Sequence, residues 1–458
     1  MQTSGRMDRI ELLNFSKPQM RAFHMAWFAF FVCFFAWFGI APLMQVVRGE
    51  FGLTARQVGW CVIGSVAITV LARIFVGWLC DRIGPRLAYS GLLLIGSLPV
   101  MAISLVHSFE AFLILRVLIG MIGASFVITQ YHTSKMFSSN CVGTANAMTA
   151  GWGNLGGGVT QAAMPLIFAF FAGYLGYTAS MSWRLSMVLV GLVCAATGIA
   201  YFFLTQDFPE GNLRQLRAAG KLPPQQQSLA SLREACGDRR VWTLFLIYGA
   251  CFGIELTMDN VAVLYFVDYF DYFKQLSTTD ALKTAGLIAA MFGSMNLFAR
   301  ALGGWIADKC GHRWGLDGRV KWLFLALFGE GIGLICFSQA TVLWAAIPLM
   351  IVFALFVKMS NGATYAIVPF VNRRALGAVS GVVGAGGNAG AVVAGLLFAV
   401  EGLNWHAALF IMGAVVTLVS FLSLTLSFES EADLETEWAL PDVANQPQPA
   451  FEIAAAVS

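Results

Sequence analysis

Residues 72–86 read Ala-Arg-Ile-Phe-Val-Gly-Trp-Leu-Cys-Asp-Arg-Ile-Gly-Pro-Arg, and residues 299–313 read Ala-Arg-Ala-Leu-Gly-Gly-Trp-Ile-Ala-Asp-Lys-Cys-Gly-His-Arg. Both stretches place Ala-Arg, Gly-Trp, an acid followed by a base, and Gly-x-Arg in the same register. The offset between them is about half of the 458-residue chain, so the repeat is a duplicated half-protein and not a short solenoid unit. Each copy contains one arginine inside an apolar run and one charged cluster at the end of that run.

The composition is that of an integral membrane protein. Hydrophobic residues make up 58% of the chain and charged residues 12%, whereas soluble domains carry about 25% charged residues. The net charge of +3 is small and spread over many loops, so no nucleic-acid partner is indicated. The sequence shows no metal-binding cluster, no nucleophile–base set and no phosphate-binding loop, so we expect no metal, no cofactor and no enzyme activity.

Twelve apolar runs are long enough to cross the hydrocarbon core of a bilayer, which takes about 20 residues in a helix. They lie at about 22–47, 57–79, 87–105, 110–130, 143–170, 183–205, 241–266, 283–307, 321–339, 341–360, 376–400 and 404–427. We therefore predict an all-α integral membrane protein with twelve transmembrane helices. Its expected parts are a six-helix half at 1–205, a central loop at 206–240, a second six-helix half at 241–427 and an acidic, disordered tail at 428–458.

The distribution of basic residues predicts the orientation. The N-terminal segment, the central loop and the loops after the second, eighth and tenth runs are rich in Lys and Arg, whereas the loops on the other side carry few. Lys and Arg favour the cytoplasmic side of a membrane. Both termini are therefore expected in the cytoplasm. We expect the chain to be embedded in the lipid bilayer of the plasma (inner) membrane. We also expect it to be a monomer.

The charged clusters at the ends of the two repeats resemble the loop signature of the major facilitator superfamily. In the first half the signature residues are Gly77, Asp81, Arg82, Gly84 and Arg86. In the second half they are Gly304, Asp308, Lys309, Gly311 and Arg313. A weaker signature of the same superfamily is Arg116 with Gly120 and Gly123. The resemblance implies the superfamily fold of two six-helix halves, with each loop holding helices together on the cytoplasmic side in a structural and gating role.

Arg73 and Arg300 are the two arginines inside apolar runs. Arg73 precedes Asp81 by about 12 Å of helix, which places it near the middle of a core that is about 30 Å thick. Arg300 stands in the same relation to Asp308. A buried arginine is tolerated when it pairs with an acid or lines a wet cavity. A structural ion pair remains open, but no carboxylate lies nearby on either run, so we favour a bound planar oxyanion, which suits the guanidinium fork.

A second duplication supports the first. Residues 150–158 read Ala-Gly-Trp-Gly-Asn-Leu-Gly-Gly-Gly, and residues 384–391 read Gly-Ala-Gly-Gly-Asn-Ala-Gly-Ala. Close helix packing explains the glycines but not Asn154 and Asn388. Buried amides need hydrogen-bond partners, so two of them at matching positions are candidates for contact with one ligand.

These stretches together are similar to the paired signature motifs of the nitrate/nitrite porter family within the major facilitator superfamily. The resemblance implies that Arg73 and Arg300 hold the anion, that Asn154 and Asn388 contact it, and that aromatic rings sandwich it. By position, those rings are Phe126, Tyr248, Phe252 and Tyr365. Tyr365 replaces the phenylalanine of some members, and a ring from the first run, Phe35 or Phe38, remains open. Each ring could also serve in ordinary packing.

Residues 253–260 (Gly-Ile-Glu-Leu-Thr-Met-Asp-Asn) and 367–377 resemble the high-affinity uptake branch of that family. This implies a secondary transporter that imports nitrate, and also nitrite, for nitrate assimilation by proton symport with alternating access. Two alternatives remain: a nitrate/nitrite exchanger that serves respiration, and a membrane anion sensor. Glu255 and Asp259 could carry the coupled proton, but we expect them to cap or pack the outer part of their helix.

Overall fold

A computed structural model describes residues 5–138, 141–220, 228–372 and 376–428 of the chain. Over those ranges the regular structure is helical and no β-strand is formed. The prediction of a disordered tail falls on residues 429–458, which lie outside the described residues, as do Arg373 and Arg374 from the loop after the tenth run.

The N-terminal half contains eight helices that form six crossings. They are α1 (Pro18–Phe38), α2 (Met44–Phe51), α3 (Ala55–Ile83), α4 (Pro85–Ala102), α5 (Phe109–Ile119), α6 (Ser125–Met136), α7 (Val142–Ala169) and α8 (Ala179–Leu204). Local sequence sets their starts. Pro18 opens α1, where its missing N–H is not needed, and Thr54 and Gln57 form a capping box before α3. Two short helices follow, α9 (Leu213–Ala218) and α10 (Ser228–Gly237).

The C-terminal half repeats the plan. Its helices are α11 (Arg239–Tyr269), α12 (Asp271–Lys274), α13 (Thr278–Ser294), α14 (Ala299–Ser338), α15 (Leu343–Tyr365), α16 (Leu376–Ala399) and α17 (Trp405–Ser423). Asp238 caps α11 by accepting a hydrogen bond from the N–H of Arg240, which satisfies one of the free amides of the first turn.

The prediction of twelve crossings is confirmed. Eleven helical stretches are long and apolar enough to span a membrane, and one of them, Thr278–Ser338, has 61 residues. That is enough for two crossings, and the chain turns within it at Trp314 and Gly315, where the backbone is not helical. Gly315 has φ +61°, a conformation that glycine adopts without strain. The break separates the eighth crossing from the ninth.

Two crossings are interrupted at the middle of the bundle. A 3-10 turn at Gly120–Ala124 separates α5 from α6, and another at Met295–Leu297 separates α13 from α14. Phe126 and Arg300 each stand one residue after the start of the helix that follows the break. Interrupted helices mark the substrate sites of many transporters, because the irregular backbone is tolerated where it lines a cavity.

Loops and helix ends that carry basic residues meet at one end of the bundle, which we call the basic face. The side chain of Arg217 donates to the carbonyl of Arg82, and Arg240 donates to the carbonyl of Val371. The other end is the opposite face. There, two ion pairs join the halves: Arg48 with Asp268 (Nη2 to Oδ1, 2.7 Å) and Arg56 with Glu401 (3.7 Å). Deeper in the bundle, buried Arg116 donates to Asn260 of the other half (2.8 Å). The bundle is therefore closed at the opposite face.

The most extensive contacts between the halves lie along two helix pairs, α3 with α16 and α7 with α13. Glycines permit the close approach. A Cβ built on Gly158 of α7 would lie 2.6 Å from the Cα of Gly293 of α13. One built on Gly59 of α3 would lie 2.4 Å from the Cα of Ala399 of α16. We call the surface along which the two halves meet the seam.

Candidate anion-binding site

Arg73 lies on α3 and reaches across the seam. Its Nη1 donates to the carbonyl oxygen of Gly384 on α16 at 2.7 Å, and its Nε is buried without a partner. The guanidinium carbon lies 5.6 Å from the ring centre of Phe126. The residue is 7% exposed, and no carboxylate pairs with it among the described residues. The arginine therefore keeps donors that protein groups do not satisfy.

Arg300 occupies the matching place in the second half. Its Nη2 donates to the hydroxyl of Tyr248 on α11 at 2.7 Å, and its Nη1 is buried without a partner. Its guanidinium carbon lies 5.7 Å from the ring centre of Phe252. Arg73 and Arg300 are close enough to act on each other electrostatically. Like charges repel at that range, so an anion between them would be stabilised by both.

Aromatic rings form a wall beside the two arginines. Tyr248 and Phe252 stack with centres 5.1 Å apart and planes 12° apart, and the edge of Tyr365 meets Tyr248 at 5.1 Å. A Cβ built on Gly384 would lie 3.1 Å from the hydroxyl oxygen of Tyr365 and 3.5 Å from Nη1 of Arg73. Any side chain at position 384 would therefore disturb this contact.

Among the described residues, the signature asparagines Asn154 and Asn388 have no hydrogen-bond partners. Asn154 is 2% exposed and Asn388 is 0% exposed, yet both the Oδ1 and the Nδ2 of each amide are without a hydrogen bond. Buried amides are almost always satisfied by protein or by water. Four orphaned polar atoms at two symmetric positions therefore point to a ligand or to ordered water.

The glycine before each signature asparagine packs against an aromatic ring. A Cβ on Gly387 would lie 2.4 Å from Phe252, and one on Gly153 would lie 1.8 Å from Phe30 on α1. Phe30 in turn contacts Phe126 at 5.7 Å. Phe30 is thus the counterpart of Phe252.

On the first crossing, the ring that contacts Phe126 and Gly153 is Phe30, which differs from the two rings, Phe35 and Phe38, that the sequence left open. Phe35 stacks loosely on Phe31, and Phe38 lies near Gly157. The match between Gly153 and Gly387 was the available signal. Glycines at these matched positions indicate close packing, but they do not show which ring packs against each of them.

A second buried polar cluster lies one turn from the aromatic wall. Glu255 on α11 pairs with Lys358 on α15 at 2.7 Å, with both side chains at most 1% exposed. Asn296 and Asn361 donate to the two carboxylate oxygens of Glu255 at 2.8 and 2.7 Å. The expectation that Glu255 packs near the outer surface was therefore wrong, since it anchors the interior of the C-terminal half.

Glu330 and Asp259 are two further buried acids in the C-terminal half. Glu330 on α14 is 0% exposed and accepts a hydrogen bond from Ser360 at 2.6 Å. Asp259, one turn beyond Glu255, is 4% exposed and lies on the seam. Its surface placement is also wrong, because α7 of the other half covers it.

The signature loops make their contacts within their own halves. The N–H of Arg86 donates to Asp207 at 2.8 Å, and a Cβ on Gly84 (φ +88°) would collide with that carboxylate at 2.5 Å. Asp308 pairs with Arg319 at 2.5 Å, while Gly311 also packs against Arg319. The side chain of Asp81 lies outside the described residues.

The other basic residues of the two signature loops lie over aromatic rings. Arg82 covers Trp78 at 4.3 Å and Lys309 covers Trp305 at 3.8 Å, while Arg313 covers Trp314 at 5.3 Å. Gly77 and Gly304 face the neighbouring helices α6 and α15. The acidic and basic groups of the loops thus contact Arg319 of α14 and Asp207 in the segment after α8.

These residues form a candidate site for a small anion. It combines two arginines without acidic partners, free amide groups and flat aromatic walls, all inside a membrane bundle. No group of three or more His, Cys, Asp or Glu residues with metal-binding geometry occurs in the described parts of the chain.

Comparison with known proteins agrees with this architecture. The model of the Major Facilitator Superfamily matches residues 26–316. The high-affinity nitrate transporter 2.3 of Oryza sativa subsp. japonica is 40% identical over 393 residues, which are 84% of this chain and 73% of that protein. The nitrate/nitrite transporter NrtP of Picosynechococcus sp. is 31% identical over 81% of this chain and 83% of its own length.

Among solved structures, a bacterial homologue of the human lysosomal transporter Spinster, in an inward-facing and unoccupied conformation, superposes with a TM-score of 0.68. It covers 90% of this chain and 98% of that one at 16% identity, so it supports the fold alone. The sequence relatives go further, since they match most of both chains at 31% to 40% identity. The chain therefore belongs to the nitrate/nitrite porter family of the major facilitator superfamily.

Proposed function

We propose that this chain is a secondary transporter that imports nitrate, and also nitrite, across the plasma membrane for assimilation by proton symport. The main structural evidence for an anionic substrate is the pair of buried arginines, Arg73 and Arg300. Each has a donor without a hydrogen-bond partner among the described residues. The relatives described above are a nitrate transporter and a nitrate/nitrite transporter, which supports the same substrate.

Each group in the site has a role in this proposal. Arg73 and Arg300 hold the anion from the two halves with planar, charge-assisted hydrogen bonds. Asn154 and Asn388 supply neutral donors. Phe126, Phe252, Tyr248 and Tyr365 line the anion and keep water from solvating it. Because each half supplies one arginine and one asparagine, rocking of the halves gives access from alternate sides.

The membrane potential explains why coupling is needed. An inside-negative potential opposes inward movement of each negative charge by about 2.3 kcal/mol per 100 mV. One co-transported proton makes nitrate entry electrically neutral. An arginine cannot give up its proton in a protein, so neither Arg73 nor Arg300 carries it. The basic face, which carries the Lys and Arg, is the cytoplasmic one in this proposal.

Proton entry tests the proposal. Nitrate added to proteoliposomes that contain no internal nitrite is expected to cause proton uptake, seen as external alkalinisation, together with uptake of labelled nitrate. Vesicles that carry the Arg300→Lys variant serve as the control for leak. Uptake that requires internal nitrite or nitrate and is indifferent to a proton ionophore would instead show an exchanger. Nitrate binding without any transport would show a sensor.

The asparagines give a second prediction. Asn154→Ala and Asn388→Ala are expected to weaken nitrate binding by about 1–3 kcal/mol, the usual effect of losing a buried polar contact. Binding is measured by titration calorimetry on purified protein. Gly153→Val is the contrast, because its side chain would occupy the space of the Phe30 ring, so it should lower the yield of folded protein. Alanine variants with normal affinity and low yield would show that the amides serve packing only.

A further inference from the structure

Asp259 lies on the seam, beyond the anion site. It is on α11, about 10 Å along the helix from Phe252 toward the opposite face. Its backbone carbonyl accepts a hydrogen bond from Gln161 of α7 at 2.7 Å. A Cβ built on Gly157, one turn after Asn154, would lie 3.0 Å from Oδ2 of Asp259. The carboxyl group therefore faces α7 of the other half, the helix that carries Asn154.

The carboxyl group of Asp259 has no partner in the described residues, although it is only 4% exposed. The charged groups that act on it are Glu255 and Lys358. Those two already pair with each other at 2.7 Å, so Lys358 is not available as a counter-ion. The helices that cover Asp259 from the other half present Phe38, Gly157 and Gln161, none of which is charged.

An ionised carboxylate in these surroundings would be buried without a counter-ion and without a hydrogen-bond donor, which is strongly unfavourable. Binding a proton removes the charge. The other unpaired buried acid, Glu330, differs in place: it lies between α14 and α15 and contacts Ser360, inside one half. When the halves rock, a group inside one half keeps the same neighbours. The neighbours of Asp259 change, because they include residues of the other half.

We propose that Asp259 carries the co-transported proton. This inference rests on the proposed function. When the halves separate at the opposite face, water reaches Asp259 and its carboxylate takes up a proton. When they close there, as in this structure, the carboxyl group is buried in its neutral form. The proton then leaves through the anion site, toward the basic face, as nitrate departs. One O–H bond forms on one side of the membrane and breaks on the other.

Charge balance fits this role. The ion pair of Glu255 and Lys358 has no net charge. The net charge along the transport pathway is therefore set by Arg73, Arg300 and Asp259. With an ionised Asp259 and no nitrate they sum to one positive charge. With a protonated Asp259 and one bound nitrate they also sum to one positive charge. The loaded and empty forms thus cross the membrane field with equal charge, as electroneutral symport requires.

Asp259→Asn tests the inference, because asparagine resembles the protonated acid in shape and charge but cannot release a proton. Two readouts are taken on reconstituted full-length protein: exchange of labelled nitrate for internal nitrate at equal pH, and proton entry on nitrate addition. The variant is expected to retain exchange and to lose both proton entry and accumulation driven by a pH gradient. Glu330→Gln is the matched control and is expected to retain both readouts.

The outcomes are separable. If the wild-type protein shows no nitrate exchange, the proposed substrate is wrong. If it exchanges nitrate without proton entry, the proposed symport is wrong. If the wild type does both and Asp259→Asn still couples proton entry to nitrate, or if Glu330→Gln is the variant that loses coupling, the assignment to Asp259 is overturned. Asp259→Ser, which is smaller and also cannot carry a proton, gives the same comparison should the asparagine variant not fold.

Discussion

Arg73→Lys and Arg300→Lys are each expected to abolish high-affinity nitrate uptake while leaving folded protein in the membrane. Lysine keeps the positive charge but loses the planar fork that binds an oxyanion through two hydrogen bonds. A hydrogen bond to a charged group contributes about 1.5–3 kcal/mol, so a loss of affinity of about 10- to 150-fold is expected for each variant.

The two arginines also differ in their present partners, which sharpens the test. Arg73 donates to the carbonyl of Gly384 across the seam, so its replacement removes a contact between halves as well as an anion ligand. Arg300 donates to Tyr248 inside its own half. Nitrate affinity is measured on purified protein and uptake in cells, with Arg9→Lys, at an exposed position before α1, as the control. Near-normal affinity in either site variant would favour simple charge attraction.

The sequence was sufficient to predict the parts of the structure that follow from periodicity and duplication. Apolar runs of about 20 residues identify crossings, and the repeated Ala-Arg and Gly-Asn-x-Gly patterns identified Arg73, Arg300, Asn154 and Asn388 as matched positions. The structure brings the arginines, Tyr248, Phe252 and Tyr365 into one connected cluster. A duplicated half must place equivalent residues symmetrically, which is why repeats were informative.

The rest depended on contacts between distant helices. Lys358 stands within a long apolar run, and one lysine barely lowers the mean hydropathy of such a run, so its pairing with Glu255 across two helices was missed. Phe30 is one of several phenylalanines in α1, and only the three-dimensional packing of Gly153 distinguishes it. Asp207 lies in the segment after α8, and nothing local shows that it receives the N–H of Arg86.

Lys358→Met is expected to cause a large loss of stability. The variant leaves Glu255 charged, buried and without its cation, a change that costs about 3–5 kcal/mol for buried ion pairs. Two asparagine donors remain on its oxygens, but they do not replace a full charge. The readouts are the yield of monodisperse protein by size-exclusion chromatography and the midpoint of thermal unfolding in detergent.

The double variant Glu255→Gln with Lys358→Met separates the pair from the site. It removes both charges. The amide introduced at position 255 can be accommodated when one of the two asparagines, Asn296 or Asn361, turns its amide over, because its Oδ1 has no partner and can accept from the new N–H, while the other asparagine goes on donating to the remaining oxygen. We expect it to recover most of the lost yield, whereas Lys321→Met, at an exposed position of α14, should not change the yield. Equal stability of the single and double variants would mean that Glu255 is not charged in the folded protein, and that the interior of the C-terminal half is held together by its hydrogen bonds alone.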